Sequence, residues 1–534
     1  MKARRGWSIV IDGLLSGVAA TVVLILMSVV GRWWLGVSPP PEALPDRFAP
    51  TLDIDTFFSL FERFGGYNGL KRFGIRSGTI GLVSVGLLIG LVYAILVGRD
   101  AENRAKTRRG AIFVAITLLV VWVGTLAILA PVLAANYRGL PPSQAVVVSS
   151  VWLLIAYLSY GLTLIGSHRF LSRSSRPADT GAEREEAAIG RRQLVVAAGS
   201  VALALPAVAS FRRLSAQTTF SYDGTTYSGP GVEPITPNDK FYTVTKNVVD
   251  PDIASSVWRL EVNGLVANPK RYAFTDLTEL AAVDQETTLM CISNRIGSGL
   301  FSNAIWRGVP LRTLLQAANP GSAAMEVRLY GADGYSDTFA FEKAMDPTTL
   351  VAFAMNGAPL PRIHGFPVRV IVPGLFGEKN VKWVTQIEVV DHDAKGFYEQ
   401  QGWGPSFAVP TRSDLFSPRW VRARGGDGFV EPFTAGQAVE LRGRAFAGAR
   451  GVRSVEVSTD DGKNWRPATI DYPGTDLTWA FWRFSWRPSQ AGDFIITSRA
   501  TDGTGTLQTD AVRGIVPEGA TGHHRVRATV VAAD

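Results

Sequence analysis

The hydrophobic positions along this chain follow different rules on either side of residue 210. Before it, apolar residues run together in five stretches, at about 8–35, 79–98, 111–135, 146–166 and 193–210. The first four offer ~20 apolar residues apiece, enough to cross a hydrocarbon core of about 30 Å at ~1.5 Å per helical residue. The fifth, LVVAAGSVALALPAVAS, is shorter and weaker. In the 36–78 loop, DTFFSLFERF predicts an amphipathic helix, suited either to a membrane interface or to packing on its neighbours.

Beyond residue 210 the pattern is that of a chain folding in water. Residues 211–231, rich in Gly, Ser and Thr, read as a linker. Residues 232–411 mix short β-branched runs (VWRLEVNGLV, MEVRLYGA, FPVRVIVPG, WVTQIEVVD) with helical patterns (FTDLTELAAV, PLRTLLQAAN), which predicts an α+β domain with a mixed sheet. From 412 to 534 short alternating strands such as QAVELRGRAFAG and VRSVEVSTDDGKNW follow one another with turns between and no helical period. An all-β immunoglobulin-like sandwich without a disulfide fits, with packing or dimerisation as its role. The expected protein is multi-domain: transmembrane helices over 1–210, then a linker, an α+β domain and a β-sandwich.

Charge refines this division. The formal charge of +8 would suit a nucleic-acid binder, but much of the Lys and Arg excess flanks the apolar runs, at 2–5, 99–109, 168–176 and 191–192. That placement reports membrane topology and argues against nucleic acid as a partner. It puts the cationic flanks in the cytoplasm and everything after ~210 outside, the arrangement of a multi-pass protein of the bacterial cytoplasmic membrane. The pair Arg191–Arg192 ahead of the fifth run fits equally a twin-arginine export signal and an ordinary anchor. The apolar runs contain no histidine, His168 lying just past the fourth, so no haem is expected in this chain. Asp12 is their one acidic residue, which favours an anchor over transport chemistry.

The candidate chemistry gathers at Cys291, the only cysteine of the 534 residues. Without an intramolecular partner it is a buried core residue, half of an intermolecular disulfide, or a thiolate ligand or nucleophile. TTLMC reads as a strand opening into the polar loop ISNRIGSG, which sets Asn294 and Arg295 beside the thiol; a guanidinium there would favour thiolate. A cysteine hydrolase would need a histidine base, for which His364 and His392 are the internal candidates. A structural zinc site would need three or four ligands, and no CxxC spacing occurs. A soft thiolate suits a transition metal whose other ligands come from a cofactor. The block AMNGAPLPRIHGFPVRVIVPGLFGEKNVKW supplies His364, Arg369, Lys379 and Lys382 among Gly365, Gly374 and Gly377, a composition suited to phosphate.

These residues resemble the sulfite oxidase family of molybdopterin enzymes over about 232–534. TPNDKFYTVTKN is similar to the family's entry to its cofactor site, TLMCISNRIG…NAIWRGVPLRTLL to its molybdenum-cysteine loop, and AMDPTTLVAFAMNGAPLPRIHGFPVRVIVPG…KNVKW to its pterin-binding segment. The resemblance implies a molybdenum-molybdopterin cofactor with Cys291 as the protein's ligand to the metal. It implies that His364, Arg369, Asn380, Val381 and Lys382, with groups near Tyr242, Thr243 and Thr245, hold the pterin and its phosphate. Tyr335, nine residues before AMDP, stands where the family has its active-site tyrosine. It also implies an Ig-like dimerisation domain, hence a homodimer.

Two departures bear on substrate. The family's sulfite oxidases carry two successive arginines in the cysteine loop, where this chain has Arg295 and Ile296; VTK, ending in Lys246, replaces an RNH. The expectation is therefore a membrane-anchored oxidoreductase performing two-electron oxygen-atom transfer on a small oxo substrate, sulfite or an S- or N-oxide, with a lean away from sulfite. Cys291, Arg295, Tyr335 and Lys246 form its catalytic set, and an external cytochrome or membrane partner exchanges its electrons. The alternative is a membrane-anchored binding or assembly protein whose cofactor domain is a relic.

Overall fold

The computed structural model describes all residues except 1, 65–66, 99–103, 173–181, 217–221, 224–230, 424–425 and 534. Most of the expected linker at 211–231 therefore lies outside the described residues, and its first six positions continue the helix Ala182–Ala216. The chain divides into two compact units, Met1–Thr219 with two short later segments, and the remainder from Phe220.

In the first unit five helices are long and apolar enough to cross a membrane: Trp7–Leu35, Gly69–Val97, Arg104–Val132, Pro142–Leu171 and Gly190–Ser210. Each begins before the apolar stretch read from sequence, because the flanking polar turns stay helical. The fourth helix thereby continues past its apolar run to take in His168, which is buried with its Nε2 at 3.0 Å from the Gly98 carbonyl. The first two helices cross at two small-residue pairs. Gly13 and Gly17 face Gly86 and Gly90 so closely that a Cβ on Gly90 would come within 2.7 Å of the Gly17 Cα. Glycines four apart on both helices permit this backbone approach. Asp12 is fully buried and accepts from Gln193 Nε2 at 2.9 Å, so the acidic residue in the first apolar run is hydrogen-bonded. The amphipathic segment is a helix over Ile54–Arg63, capped by Asp53 through the Thr56 amide, and its Phe57 is buried within the unit.

The second unit holds the α+β and β-rich parts. One five-stranded mixed sheet orders its strands Lys270–Ala273, Arg259–Gly264, Val384–Val390, Glu326–Gly331 and Ser336–Ala340, the second and third parallel. A second sheet pairs Val283–Met290, Phe301–Pro310 and Leu350–Met355, with Arg369–Ile371 on the last. Its apolar face packs with Phe241, Tyr242 and Cys291 in one core that includes Trp306. After residue 411 the regular elements among the described residues are all strands, in a four-stranded and a seven-stranded sheet. Both contribute to one core, Leu441, Trp482 and Trp486 from the first and Val455, Ile496 and Val526 from the second. This β-rich part is tied back through Trp479, whose amide donates to Thr288 Oγ1 at 2.9 Å on the strand that leads into Cys291.

Candidate active site

The strand Val283–Met290 delivers Cys291 to its end, and the loop that follows closes on itself. The Cys291 amide donates to the Leu300 carbonyl at 3.0 Å, and Asn294 Oδ1 accepts from the Leu300 amide at 3.0 Å. Gly297 lies at φ +68 with no room for a side chain, since a Cβ would meet the His524 ring at 2.4 Å. Its amide donates to Asp414 Oδ1 at 3.1 Å. Arg412 reaches Met290 Sδ at 3.2 Å and the Arg295 carbonyl at 3.3 Å, while pairing with Asp414 at 3.0 Å. The cysteine loop is thus seated on Arg412, Asp414 and His524 of the β-rich part. The sequence reading missed these residues because nothing local to the loop signals them.

Cys291 is buried. Burial first, and then the charge of Glu378, push its thiol up to about 12. This corrects the expectation that Arg295 favours thiolate. The Arg295 side chain is exposed, and no cation is among the groups that shift the thiol. No histidine serves the thiol either: His364 Nε2 donates to the Asn238 carbonyl at 2.8 Å, and His392 is exposed beside Asp391. Among the described residues no cluster of three or more His, Cys, Asp or Glu could hold a metal ion. A metal here would therefore bind through the thiol and ligands brought with it.

The turn Gly377–Lys379 faces Cys291. A Cβ on Gly377 would stand 2.5 Å from the Tyr242 hydroxyl and 3.6 Å from the Cys291 Cα, so glycine is what lets this turn approach. Tyr335 donates to Asp337 Oδ2 at 2.6 Å and to the Glu378 carbonyl at 3.2 Å. Burial raises the phenols of Tyr242 and Tyr335 well above their ordinary range; Cys291 adds to this at the first and Asp337 at the second. Both tyrosines are neutral. Lys246 is buried, its ammonium 5.7 Å from the Phe397 ring centre, whereas Arg295 is not drawn into this cluster.

The expected pterin residues form a cationic wall. Arg369 is buried over the Trp306 ring at 5.0 Å, donating to the carbonyls of His364 and Asn380 at 3.1 Å each. Its Nε is buried without a hydrogen-bond partner. Burial lowers its pKa to about 10 and that of His364 to about 3, so this histidine is neutral. Lys382 Nζ reaches the Ile363 carbonyl at 3.1 Å. Asn380 spends its amide side chain on the turn itself, accepting from the Val372 amide at 2.7 Å and donating to the Phe376 carbonyl at 3.1 Å. Val381 is buried and accepts from the Val370 amide. Thr243 and Thr245 are buried on the segment that carries Tyr242. Lys379, read from sequence as a phosphate cation, instead points to Asp337 at 2.7 Å and Glu399 at 3.3 Å.

The part of the chain that carries this site is similar to known proteins. Residues 247–398 match the family described as oxidoreductase molybdopterin binding domain, and residues 425–530 match the Mo-co oxidoreductase dimerisation domain. Tyr242, Thr243, Thr245 and Lys246 precede the first match. The chain is 31% identical over 267 residues to a nitrate reductase [NADPH] of Fusarium oxysporum, covering 42% of this chain and 29% of that one. It is 28% identical over 342 residues to mitochondrial sulfite oxidase of Rattus norvegicus, covering 56% of this chain and 62% of that one. The chain thus spans about a third of the length of the nitrate reductases it matches. Among solved structures, the sulfane dehydrogenase SoxCD of Paracoccus pantotrophus aligns with a TM-score of 0.49 at 25% identity, over 56% of this chain and 84% of that one.

Proposed function

We propose, on the premise that this chain belongs to the sulfite oxidase family of molybdopterin oxidoreductases, that it is a membrane-anchored enzyme of two-electron oxygen-atom transfer acting on a small oxo substrate. The observation that carries the reading is the lone thiol of Cys291, buried at a strand end and enclosed by the Gly377 turn, with no base to make it a nucleophile. The orphaned Arg369 Nε and the neighbouring His364 and Lys382 have the donor chemistry of a pterin-phosphate cradle. The residues present fit the cofactor.

Cys291 would be the metal's protein ligand, and its raised pKa means that metal binding must release the thiol proton. His364, Arg369 and Lys382 would hold the pterin and its phosphate, together with groups near Tyr242, Thr243 and Thr245. Asn380 and Val381 fix the turn that carries Lys382. The bound cofactor supplies the oxygen-atom and electron chemistry, while the protein orients and excludes water. Tyr335, whose own proton is committed to Asp337, offers a phenol held in one direction to the substrate. Lys246 supplies the buried cation at the entry segment, and Arg295, being exposed, would act at the mouth of the site.

The five apolar helices would anchor the enzyme in the bacterial cytoplasmic membrane with the catalytic unit outside, Arg191 and Arg192 marking the cytoplasmic side or an export signal. The β-rich part would be an immunoglobulin-like dimerisation module, and an external cytochrome or membrane partner would take or give electrons one at a time. The test is the metal content of the purified full chain, with turnover of sulfite and of S- and N-oxides using artificial electron carriers. About one molybdenum per chain, lost or inactive in Cys291→Ser, is expected. A molybdenum-free protein under molybdate-replete expression would instead make it an assembly or binding protein.

A further inference from the structure

The loop between the third and fourth apolar helices grips two segments that lie far along the chain. The first unit takes in Asn247–Val257 and Ala332–Gly334, and both are bound to residues 135–138. The Asn136 backbone amide donates to the Ala332 carbonyl at 2.7 Å, and the Tyr137 hydroxyl donates to Asn247 Oδ1 at 3.2 Å. Asn247 in turn donates through Nδ2 to Asp333 Oδ2 at 2.8 Å, so the two segments are tied to each other as well as to the loop. Gly334, at φ +76, lies so near the loop that a Cβ would come within 2.9 Å of the Ala135 Cβ. Asn136, Tyr137, Asn247 and Asp333 are all buried.

The loop is itself fixed. Asn136 Nδ2 donates to the Leu35 carbonyl at 2.8 Å, and the Tyr137 backbone amide donates to the Gly36 carbonyl at 3.0 Å. The Arg32 guanidinium lies 3.4 Å over the Tyr137 ring while pairing with Glu42 at 3.0 Å. Anchoring in a bilayer needs only the apolar helices. This buried polar clasp is a separate device.

The gripped segments end where the proposed chemistry begins. Asn247 follows Lys246, and Gly334 precedes Tyr335. The side chains of Lys246 and Tyr335 converge on one ring, the ammonium 5.7 Å from the centre of Phe397 and the phenol ring 5.9 Å from it. The turn that carries Tyr335 is closed by the Gly331 amide, which donates to the Tyr335 carbonyl at 2.8 Å.

We propose that Tyr137 and its loop are positioning elements of the reaction chamber, setting the spacing of Lys246 and Tyr335 through the Asn247–Asp333 bond. This rests on the assignment of Lys246 and Tyr335 to that chamber. A misplacement of about 1 Å can cost on the order of a hundredfold in rate, which puts a tenfold loss within reach of one tethering hydroxyl.

Tyr137→Phe removes the bond to Asn247 and keeps the ring beneath Arg32. Its control is Tyr160→Phe, which deletes a buried hydroxyl that donates to the Gly86 carbonyl at 2.6 Å in the same unit. Both would be compared with wild type as full-length molybdenum-loaded protein, by amide exchange, molybdenum content, and kcat and KM over sulfite, S-oxides and N-oxides. In Tyr137→Phe, exchange over 244–249 and 331–337 should be at least ~threefold faster, with the cysteine loop 291–300 and the molybdenum content unchanged. Its kcat should fall about tenfold while KM stays within about twofold, and Tyr160→Phe should match wild type. Unchanged exchange, or faster exchange with unchanged kcat, overturns the inference and leaves the cofactor reading standing. An equal kcat loss in Tyr160→Phe, or loss of molybdenum from Tyr137→Phe alone, overturns it too. Wild-type protein without molybdenum, or without turnover of any of these substrates, removes the reading on which the inference stands, and the inference with it.

Discussion

Lys379 and Asp337 meet at 2.7 Å with 2% and 1% of their side chains exposed, and the same carboxylate accepts the Tyr335 hydroxyl at 2.6 Å. Burial works against the charge on Lys379, but Asp337 and Glu399 more than offset it and hold the ammonium protonated. Removing one partner of a buried pair leaves an uncompensated charge, at a cost of about 3–5 kcal/mol. Lys379→Met is expected to destabilise the second unit by that order, seen as a lower midpoint in thermal unfolding. Asp337→Asn in the same chain should recover part of the loss. A single variant as stable as wild type would mean that the pair is not formed.

Gly377→Ala tests the approach of the turn to Cys291. The new methyl would fall 2.5 Å from the Tyr242 hydroxyl and 3.3 Å from the Met290 carbonyl, and backbone cannot yield as a flexible side chain can. The expected outcome is a cost of about 1–3 kcal/mol together with a several-fold loss of retained molybdenum. Unchanged stability and metal content would mean that the turn moves freely.

Glu378 makes the stability of cofactor-free protein fall as pH rises. Burial, reinforced by the Asp337 charge, pushes its carboxyl up to about 8 from an ordinary value of 4.5. Between those two pH values the folded chain binds the proton that the unfolded chain has released. The stability it contributes is complete below about pH 4.5 and lost as pH rises through about 8, at on the order of 1 kcal/mol per pH unit. Thermal unfolding of a Cys291→Ser chain from pH 5 to 8 should show this slope, and adding Glu378→Gln should flatten it. An unchanged slope would place its cause elsewhere.

How much of this was legible beforehand divides along physical lines. Cys291, His364, Arg369 and Lys382 could be singled out as candidates because each chemical type stands beside a strand and a glycine that fix its setting locally. Lys379 could not be assigned correctly, since its partner Asp337 is 42 residues away and only the fold decides which anion a lysine meets. Glu378 was overlooked because an acidic residue in a cationic run reads as a solvated face, and burial of its oxygens is a property of packing. The apolar runs gave the five helices but not their ends, which continue through polar turns. The glycine pairs at 13, 17, 86 and 90 carried a local signal, a four-residue spacing on two apolar runs, that was open to reading.

Orientation of the helical unit can be tested with the same lone thiol removed. In a Cys291→Ser background, Ser143→Cys lies exposed at the start of the helix Pro142–Leu171, and Ala105→Cys lies exposed in the basic first turn of the helix Arg104–Leu129. A membrane-impermeant maleimide on intact spheroplasts should label the first and reach the second only after permeabilisation, as the flanking cations require. The opposite pattern would invert the topology.

Arg412 links the β-rich part to the thiol and can be read through Cys291 itself. Its guanidinium spans Met290, the Arg295 carbonyl and Asp414, and holds the Asp414 carboxyl below its ordinary range against the opposing effect of burial. Arg412→Met keeps the volume but strands Asp414 as a buried charge, so a destabilisation of about 3–5 kcal/mol is expected. Because Asp414 also anchors the Gly297 amide, the strain should pass to the cysteine loop. In cofactor-free wild type the buried thiol, with its pKa near 12, should alkylate slowly at neutral pH. Arg412→Met should raise that rate at least ~tenfold and speed amide exchange over 291–300, while Arg412→Met with Asp414→Leu, which removes both charges, should restore part of the stability but not the loop's protection. Slow alkylation in the single variant would mean that the loop holds its shape without the β-rich part.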